Sequence, residues 1–512
     1  MPTSPHPHER AQDRRSRSSR HRSVSRLLAV PTLCLLAALG RKAWLDLDTT
    51  WDSLAYHLPF AALRAGILSP AQYHLSHWIG ACYAGFPVLP DYLKGLLWRL
   101  TSRPQAANFV GLLALLVLVA LMWRIYSLPW TDTVLSFLAI PIVLIQSTSA
   151  YNDLLANSAM AILLLLIYCA LTCPGRFSMK ELLGACVALA VVTNCKLQFL
   201  PVGALALVSL AGVLYLNRTR FVRMRLELRR ATLLSRSCFL AAIAVALVLS
   251  YVKSFENWSV FKNPAYPVAV RIGPLKLPGQ FHELGTEPQY LSRKPQALRW
   301  VLSVLEYQAF DGRRPLWTNG QGDVQVTSPG LRMGGFFSVF VLMNAFWFVF
   351  LQLRLRPKFG WKPSLFLCFM TVMTAILPAS QELRYYLYWM LCLVALNLIL
   401  ILQGLRGDER FHARLLFLAG SASCLLFVLS STGGAYLCST GTGPAQLTKN
   451  LGITDQLSRM DLHPGEAVCV IGKNPLTFLY APIFNHDLAA ATGYTILEAY
   501  TADDCMGQRV VP

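Results

Sequence analysis

Long apolar runs alternate with short polar breaks along most of the chain. After a first run at Leu27–Gly40, helix-length apolar stretches recur at about 108–126, 130–147, 153–171, 181–194, 198–216, 237–253, 333–353, 364–379, 385–403 and 415–432. A bilayer core is crossed by roughly 20 apolar residues in a helix, and several of these runs are shorter than that. The pattern predicts an all-α polytopic membrane protein with about eleven transmembrane helices over residues 27–432. Two long polar stretches interrupt it, at 46–105 and 254–332. In the first, Leu54, Leu58, Ala61 and Ala62 recur at helical spacing with Arg64 on another face, which predicts a helix lying in the membrane interface. Beyond residue 433 the chain becomes polar enough to leave the membrane. There Gly465–Gly472 reads as a buried strand, and Leu476–Pro482 and Thr495–Tyr500 as further strands, giving a small α/β appendage over 433–512.

Composition agrees with the pattern. The chain has 512 residues, of which 54% are hydrophobic and only 14% charged, with a mean hydropathy of +0.45. Soluble domains carry roughly 25% charged residues. The net charge of +20 changes meaning in this setting. With the N-terminus inside, the breaks around Arg124, Pro174–Lys180, Asn217–Arg236, Arg354–Lys362 and Gly404–Arg414 all fall on the inner face, and all are basic, as the positive-inside rule requires. The charge therefore orients the protein and does not bind nucleic acid; no aromatic-basic groove accompanies it. Arg41 and Lys42, at the outer end of the first run, depart from the rule and read as snorkelling or phosphate-facing.

Residues 1–26 hold seven Arg against Glu9 and Asp13 and read as a disordered basic cytoplasmic tail. The first run has the length of a signal-peptide core, but the many later runs favour its retention as a first helix, with Trp44 at the interface. Absence of organelle signals favours a bacterial inner membrane. Most of the thirteen Cys lie in apolar runs, where Cys serves as a small hydrophobe. No CxxC pair suggests a metal site. Cys438, Cys469 and Cys505 fall in the outer appendage, where one pair is expected to form a disulfide and the choice of pair is open.

The outer breaks hold the candidate chemistry: Asp46, Asp48, Asp52, Tyr56 and His57, then Asp153, Lys196, Glu382, Arg384 and Tyr385. Asp52 and Asp153 each precede a helix, so each has two readings. One is an N-cap; the other is a general base for an acceptor hydroxyl. Asp46 and Asp48 read as loop residues or as members of the same acidic site. Tyr56 and His57 read as sugar contacts or as packing. Lys196 and Arg384 are cations on the face that should lack them. Each asks for a partner, either a lipid phosphate, which Arg grips in fork geometry, or a carboxylate such as Asp153 or Glu382. The segment Phe255–Val268, with Asn263 and Tyr266 in an Asn-Pro-Ala-Tyr-Pro run, reads as a rigid loop.

In their order these pieces resemble the GT-C superfamily of membrane glycosyltransferases, which includes protein O-mannosyltransferases and the aminoarabinose transferases that modify lipid A. The resemblance covers roughly residues 28–403. Asp52 and Tyr56 in DSLAYHLP match the acidic D-x-x-x-Y motif of the family's first outer loop, and Asp153 in YNDLLANSA matches its second acidic residue. KLQFLP, NPAYP and the Arg384–Tyr385 pair match further breaks. Ser53 follows Asp52 where Glu is frequent, which leaves the choice between Asp48 and Asp52 open. The resemblance implies a GT-C-like architecture and an inverting transfer of a sugar from a polyprenyl-phosphate donor to a hydroxyl of a glycan, lipid or protein acceptor. Asp52, Asp48 and Asp153 are then expected to be catalytic and Lys196 and Arg384 to bind phosphate. Tyr56, His57, Asn263, Tyr266, Glu382 and Tyr385 are expected to contact substrate. No cofactor or obligatory metal is expected, with a divalent cation left open. The rival reading is a transporter or flippase of lipid-linked sugars, which should place ionisable residues near the bilayer midplane.

Overall fold

The computed structural model describes residues 7–281, 291, 293–306, 317, 335–472, 475–505 and 507–511, with side chains from Ser25 onward. The first apolar run lies in α1 (Pro7–Leu45). From Pro7 the backbone is helical, where composition predicted a disordered tail. Residues 7–26 hold no glycine, and Pro at a first helical position presets the helical φ.

The long polar stretch after α1 then folds into a π-turn at Ser53–His57, α2 (Leu58–Arg64), β1 (Tyr73–His74), α3 (His77–Gly85) and α4 (Leu89–Thr101). The predicted helix around Leu58 exists, but it turns no apolar face to lipid: Leu58 to Leu63 are all buried. It is covered by α4, which approaches closely at Gly95; a Cβ there would sit 2.5 Å from the Ala61 carbonyl oxygen. Outward apolar side chains are instead supplied by α4, through Tyr92, Leu96 and Leu100, while Asp91, Lys94 and Trp98 are turned inward.

The bundle follows as α5 (Phe109–Tyr126), α6 (Trp130–Leu138), α7 (Pro141–Gln146), α8 (Asp153–Thr172), α9 (Met179–Thr193), α10 (Phe199–Leu216), α11 (Val222–Arg230) and α12 (Leu233–Phe261). After the hairpin of β2 (Val270–Ile272) and β3 (Leu275–Leu277) come α13 (Gln296–Val304), α14 (Ser338–Phe359), α15 (Lys362–Ile376), α16 (Tyr388–Ile399) with a π-turn at Leu400–Gly404, and α17 (Gly407–Ser431). Every predicted apolar run contains a helix. Seven helices, counted among the described residues, are long and apolar enough to cross a membrane: those within α1, α5, α8, α10, α12, α14 and α17. The remaining four runs fold as shorter or broken helices, so the expected count of eleven reduces to seven long ones. The run at 130–147 breaks at Pro141, which supplies no backbone N–H to continue α6. At the centre, α8 is buried almost throughout and packs on α5, α9, α10 and α16. The outer helices expose leucines and valines, such as Leu240, Val245 and Val248 of α12, as a lipid-facing surface requires. The protein is a multi-pass membrane protein with a largely helical fold.

Beyond α17, α18 (Pro444–Asn450), α19 (Ile453–Arg459) and α20 (His486–Thr492) accompany β4 (Ala467–Ile471), β5 (Thr495–Ala499) and β6 (Arg509–Val511). Leu476–Tyr480, expected as a strand, forms a 3-10 turn; a short apolar run does not choose between the two by periodicity. The sheet is parallel in the order β1-β5-β4-β6. Its edge strand thus comes from the polar stretch after α1, with Tyr73 opposite Ile496. One hydrophobic core joins Leu54, Leu58 and Trp98 to Val468, Phe478 and Ile496. Cys469 and Cys505 form a disulfide, and Cys438 is free and exposed.

Candidate active site

Four polar breaks, far apart in sequence, converge on one cavity of about 500 Å³ at one end of the bundle. Asp52 precedes the π-turn. Asp153 is the first residue of α8. Lys196 lies in the break between α9 and α10. Glu382 and Arg384 lie at a 3-10 turn, Leu383–Tyr386, between α15 and α16.

Neither aspartate makes a capping bond through its side chain: Asp52 stands at the N-cap position of the π-turn without one, and the cap position of α8 is Asn152. Arg384 Nη1 donates to Asp52 Oδ2 at 2.7 Å, and Lys196 Nζ donates to Asp153 Oδ1. Tyr385 stands between the two cations. Its hydroxyl accepts from Arg384 Nη2 at 3.1 Å, and Lys196 lies 4.2 Å from its ring centroid. Arg384 Nε and Asp153 Oδ2 are buried and have no hydrogen-bond partner among the described residues. The turn carrying Arg384 is held to α8 by Asn157, whose Nδ2 donates to the Arg384 carbonyl at 2.8 Å and whose Oδ1 accepts from Tyr388 N at 2.9 Å.

His57 and Glu382 also belong to the polar lining. Burial lowers the His57 pKa well below its usual range, and Lys94, Lys196 and Arg384 push it the same way. The ring is therefore neutral, with one nitrogen a donor and the other an acceptor, and neither has a hydrogen-bond partner among the described residues. Burial raises the Glu382 pKa, with Arg384 opposing; Arg384 Nε is 3.9 Å away, too far for a hydrogen bond. Trp51, Tyr56, Phe60, Trp78, Phe86 and Phe281 form the apolar wall. Trp78 also meets Tyr500 edge-on at 6.4 Å, so the C-terminal segment reaches the cavity wall.

Other expected residues lie outside this lining. Asp48 accepts from Thr50 N, Thr50 Oγ1, Ser53 Oγ and Ala150 N, which occupies both oxygens with the chain itself. Asp46 binds Lys42, Ser439 and the backbone N–H groups of Thr440 and Gly441. Burial raises its pKa, but these donors outweigh burial and hold it below the usual value. Asn263 is spent on its own loop, bonding the Val268 and Pro278 carbonyls, and Tyr266 stacks on Phe261. That loop contributes Val268 and Phe281 to the cavity instead.

The sequence reading missed Asp91 and Lys94. Asp91 lines the cavity and is 3.4 Å from Arg64 Nε; burial raises its pKa to about 6. Lys94 is fully buried, donates to Asn152 Oδ1, and has its pKa lowered by burial to about 8. A signal existed: Asp91, Lys94 and Trp98 share one face of α4 at helical spacing, while the opposite face is apolar. Among the described residues no three His, Cys, Asp or Glu side chains gather to hold a metal ion.

No family model and no curated protein matches the sequence. The structure is similar to that of ArnT from Cupriavidus metallidurans bound to undecaprenyl phosphate, with a TM-score of 0.51 and 12% identity over 94% of this chain and 86% of that one. The same protein in its apo state gives a TM-score of 0.51 and 15% identity, over 94% and 89% of the two chains. At such low identity the likeness shows the fold alone: this chain has an ArnT-like fold.

Proposed function

We propose that the chain is a membrane glycosyltransferase that moves a sugar from a polyprenyl-phosphate donor onto an acceptor hydroxyl, on the extracytoplasmic side of a bacterial inner membrane. The observation that carries this reading is that Asp52 paired with Arg384, Lys196 paired with the buried Asp153 behind it, and Tyr385 between the two cations meet at one cavity at the end of a membrane bundle. The binding of undecaprenyl phosphate by the structurally similar ArnT supports a lipid phosphate as the donor's carrier.

In this reading the donor phosphate meets Lys196 and Arg384. Arg384 keeps Nη1 on Asp52 and offers Nε, which has no hydrogen-bond partner among the described residues, so it can hold base and phosphate at once. Asp52 accepts the proton of the acceptor hydroxyl. The oxygen attacks the anomeric carbon from the face opposite the phosphate, and the bond from that carbon to the phosphate oxygen breaks with inversion. Its electron pair stays on the polyprenyl phosphate, whose added negative charge Lys196 and Arg384 offset in a water-poor site. Neutral His57 and the carboxyl of Glu382 are placed to bind sugar hydroxyls, with Tyr56 and Trp78 as the apolar wall.

A flippase would carry charges near the bilayer midplane. Asp153 is the only acidic or basic residue of α8, and α16 has none. The test uses purified protein in vesicles with a radiolabelled polyprenyl-phosphate sugar and a panel of hydroxyl acceptors. Label appearing in an acceptor, with polyprenyl phosphate released, is the expected result. Movement of intact donor across the vesicle without chemistry would sink the assignment.

A further inference from the structure

A second cavity, of about 1010 Å³, lies at the other end of the bundle. Helix α8 separates the two: Asp153 starts it at the first site, and Cys173 and Arg176, just beyond its end, line the second. At 1.5 Å per residue the twenty-residue helix spans about 30 Å.

Its charge is one-sided. Arg26, Arg176, Lys358, Arg410 and Arg414 line it, and no Asp or Glu does. These cations come from α1, the loop after α8, α14 and α17, so the fold gathers them; no single basic loop explains them. Elsewhere at this end carboxylates are matched with cations outside the cavity, as in Arg124 with Glu181, Arg223 with Glu227 and Arg354 with Glu409. Among the described residues that line the cavity, only Arg414 has a carboxylate partner, the buried Asp132, held by two bonds of 2.6 and 2.8 Å. Arg26, Arg176, Lys358 and Arg410 form no ion pair among the described residues. Gathering like charges around one space is unfavourable unless an anion fills it. The lining also includes Tyr126, Pro129, Phe359 and Leu402, so charge and apolar surface share one wall.

We propose that this cavity is a second, non-catalytic binding site for a phosphate group, with the phosphate headgroup of an anionic phospholipid as its occupant. Arg176 and Arg410 grip the phosphate oxygens, and the apolar wall takes the start of the acyl region. Basic pockets between membrane helices bind anionic headgroups in this way. The site is independent of the reaction at the opposite end.

The test measures the melting temperature of the whole protein in phosphatidylcholine nanodiscs, with phosphatidylglycerol added stepwise in one arm and inorganic phosphate at fixed ionic strength in the other. The variants are the double substitution R176Q/R410Q and, as a control, R124Q, a cation of the same end outside the cavity. Expected is a saturable rise in Tm of the wild type and of R124Q with phosphatidylglycerol, reduced at least severalfold in R176Q/R410Q. Equal Tm values for all three proteins in pure phosphatidylcholine show that the variants fold. A rise with inorganic phosphate alone, lost in R176Q/R410Q, keeps the site and assigns it to a free phosphate compound in place of a headgroup. An R176Q/R410Q response equal to wild type, an equal loss in R124Q, or no response of the wild type to either probe overturns the proposal.

Discussion

Asp48 and Asp52 are four residues apart, yet their surroundings differ in kind. Asp52 faces the cavity with one arginine partner, whereas Asp48 is saturated by the backbone and hydroxyls around it. Asp52→Asn is expected to lower sugar transfer by about 10²–10⁴-fold, the usual range for loss of a positioned proton acceptor. Its folding should be intact, checked by turnover and thermal unfolding on the same preparation. Asp48→Ala should do the reverse. It leaves the buried Ala150 N–H without its acceptor, at a cost of about 1–3 kcal/mol in stability for that group alone, while turnover per folded molecule changes little. A large turnover loss in Asp48→Ala at unchanged stability would exchange the two roles. Asp52, Asp153, Lys196 and Arg384 were legible as candidates because charges at the ends of apolar runs are few. The inward face of α4 was not, because a polar stripe on an amphipathic helix reads as solvent-facing until something is seen to cover it.

Among the elements, the cavity depends on how closely α4 packs on α2. Gly95 makes that approach possible: an added Cβ would lie 2.5 Å from the Ala61 carbonyl oxygen and 2.6 Å from Ala65 Cβ. Because the nearest atom belongs to the backbone, relief requires moving a helix. Gly95→Ala is therefore expected to destabilise by about 1–3 kcal/mol, as overpacking does, and to lower turnover by shifting Asp91 and Lys94, which sit on the same helix. Thermal unfolding together with donor KM checks this; a variant with wild-type values for both would show that the two helices separate freely. Helix α8 has the complementary task. It carries Asp153 at its first position and, one turn on, Asn157, which fixes the Arg384 turn. A single rigid helix thus spaces a carboxylate and a cation that come from distant breaks.

Across the molecule, the parallel sheet ties the C-terminal strands to the polar stretch after α1, and through it to the cavity wall. Glu498 of β5 sits in that junction. Burial raises its pKa from 4.5 to about 7, with hydrogen bonds from Ser76 opposing. Between these two values the folded state holds more protons than the unfolded one, so stability falls as pH rises across the window and the loss is complete above about pH 7. Asp91, raised from 3.8 to about 6, acts with the same sign at lower pH. Glu498→Gln should remove its share, making the variant more stable than wild type at pH 8 by on the order of 3 kcal/mol, since each tenfold change in proton affinity is worth about 1.4 kcal/mol. Chemical unfolding of both proteins at pH 5 and pH 8 checks it; an unchanged pH slope in the variant would place the titration elsewhere.

The order of residues was enough to say where the chain is apolar enough to enter a bilayer, that these runs are helical, and which polar breaks share one end of the bundle. It sufficed because lipid offers no hydrogen-bond partner to the backbone, so each apolar run must satisfy its own backbone bonds, and that requirement is local. What each charge faces came from the packing alone. Arg384 meets Asp52 across 332 positions and Ala150 meets Asp48 across 102, and no local pattern records such pairings. Packing also set Tyr73–His74 as the edge strand of the C-terminal sheet, and drew five basic residues from four elements around one cavity. A side chain's chemistry follows from its nearest partners, and here those partners are set by how the helices meet.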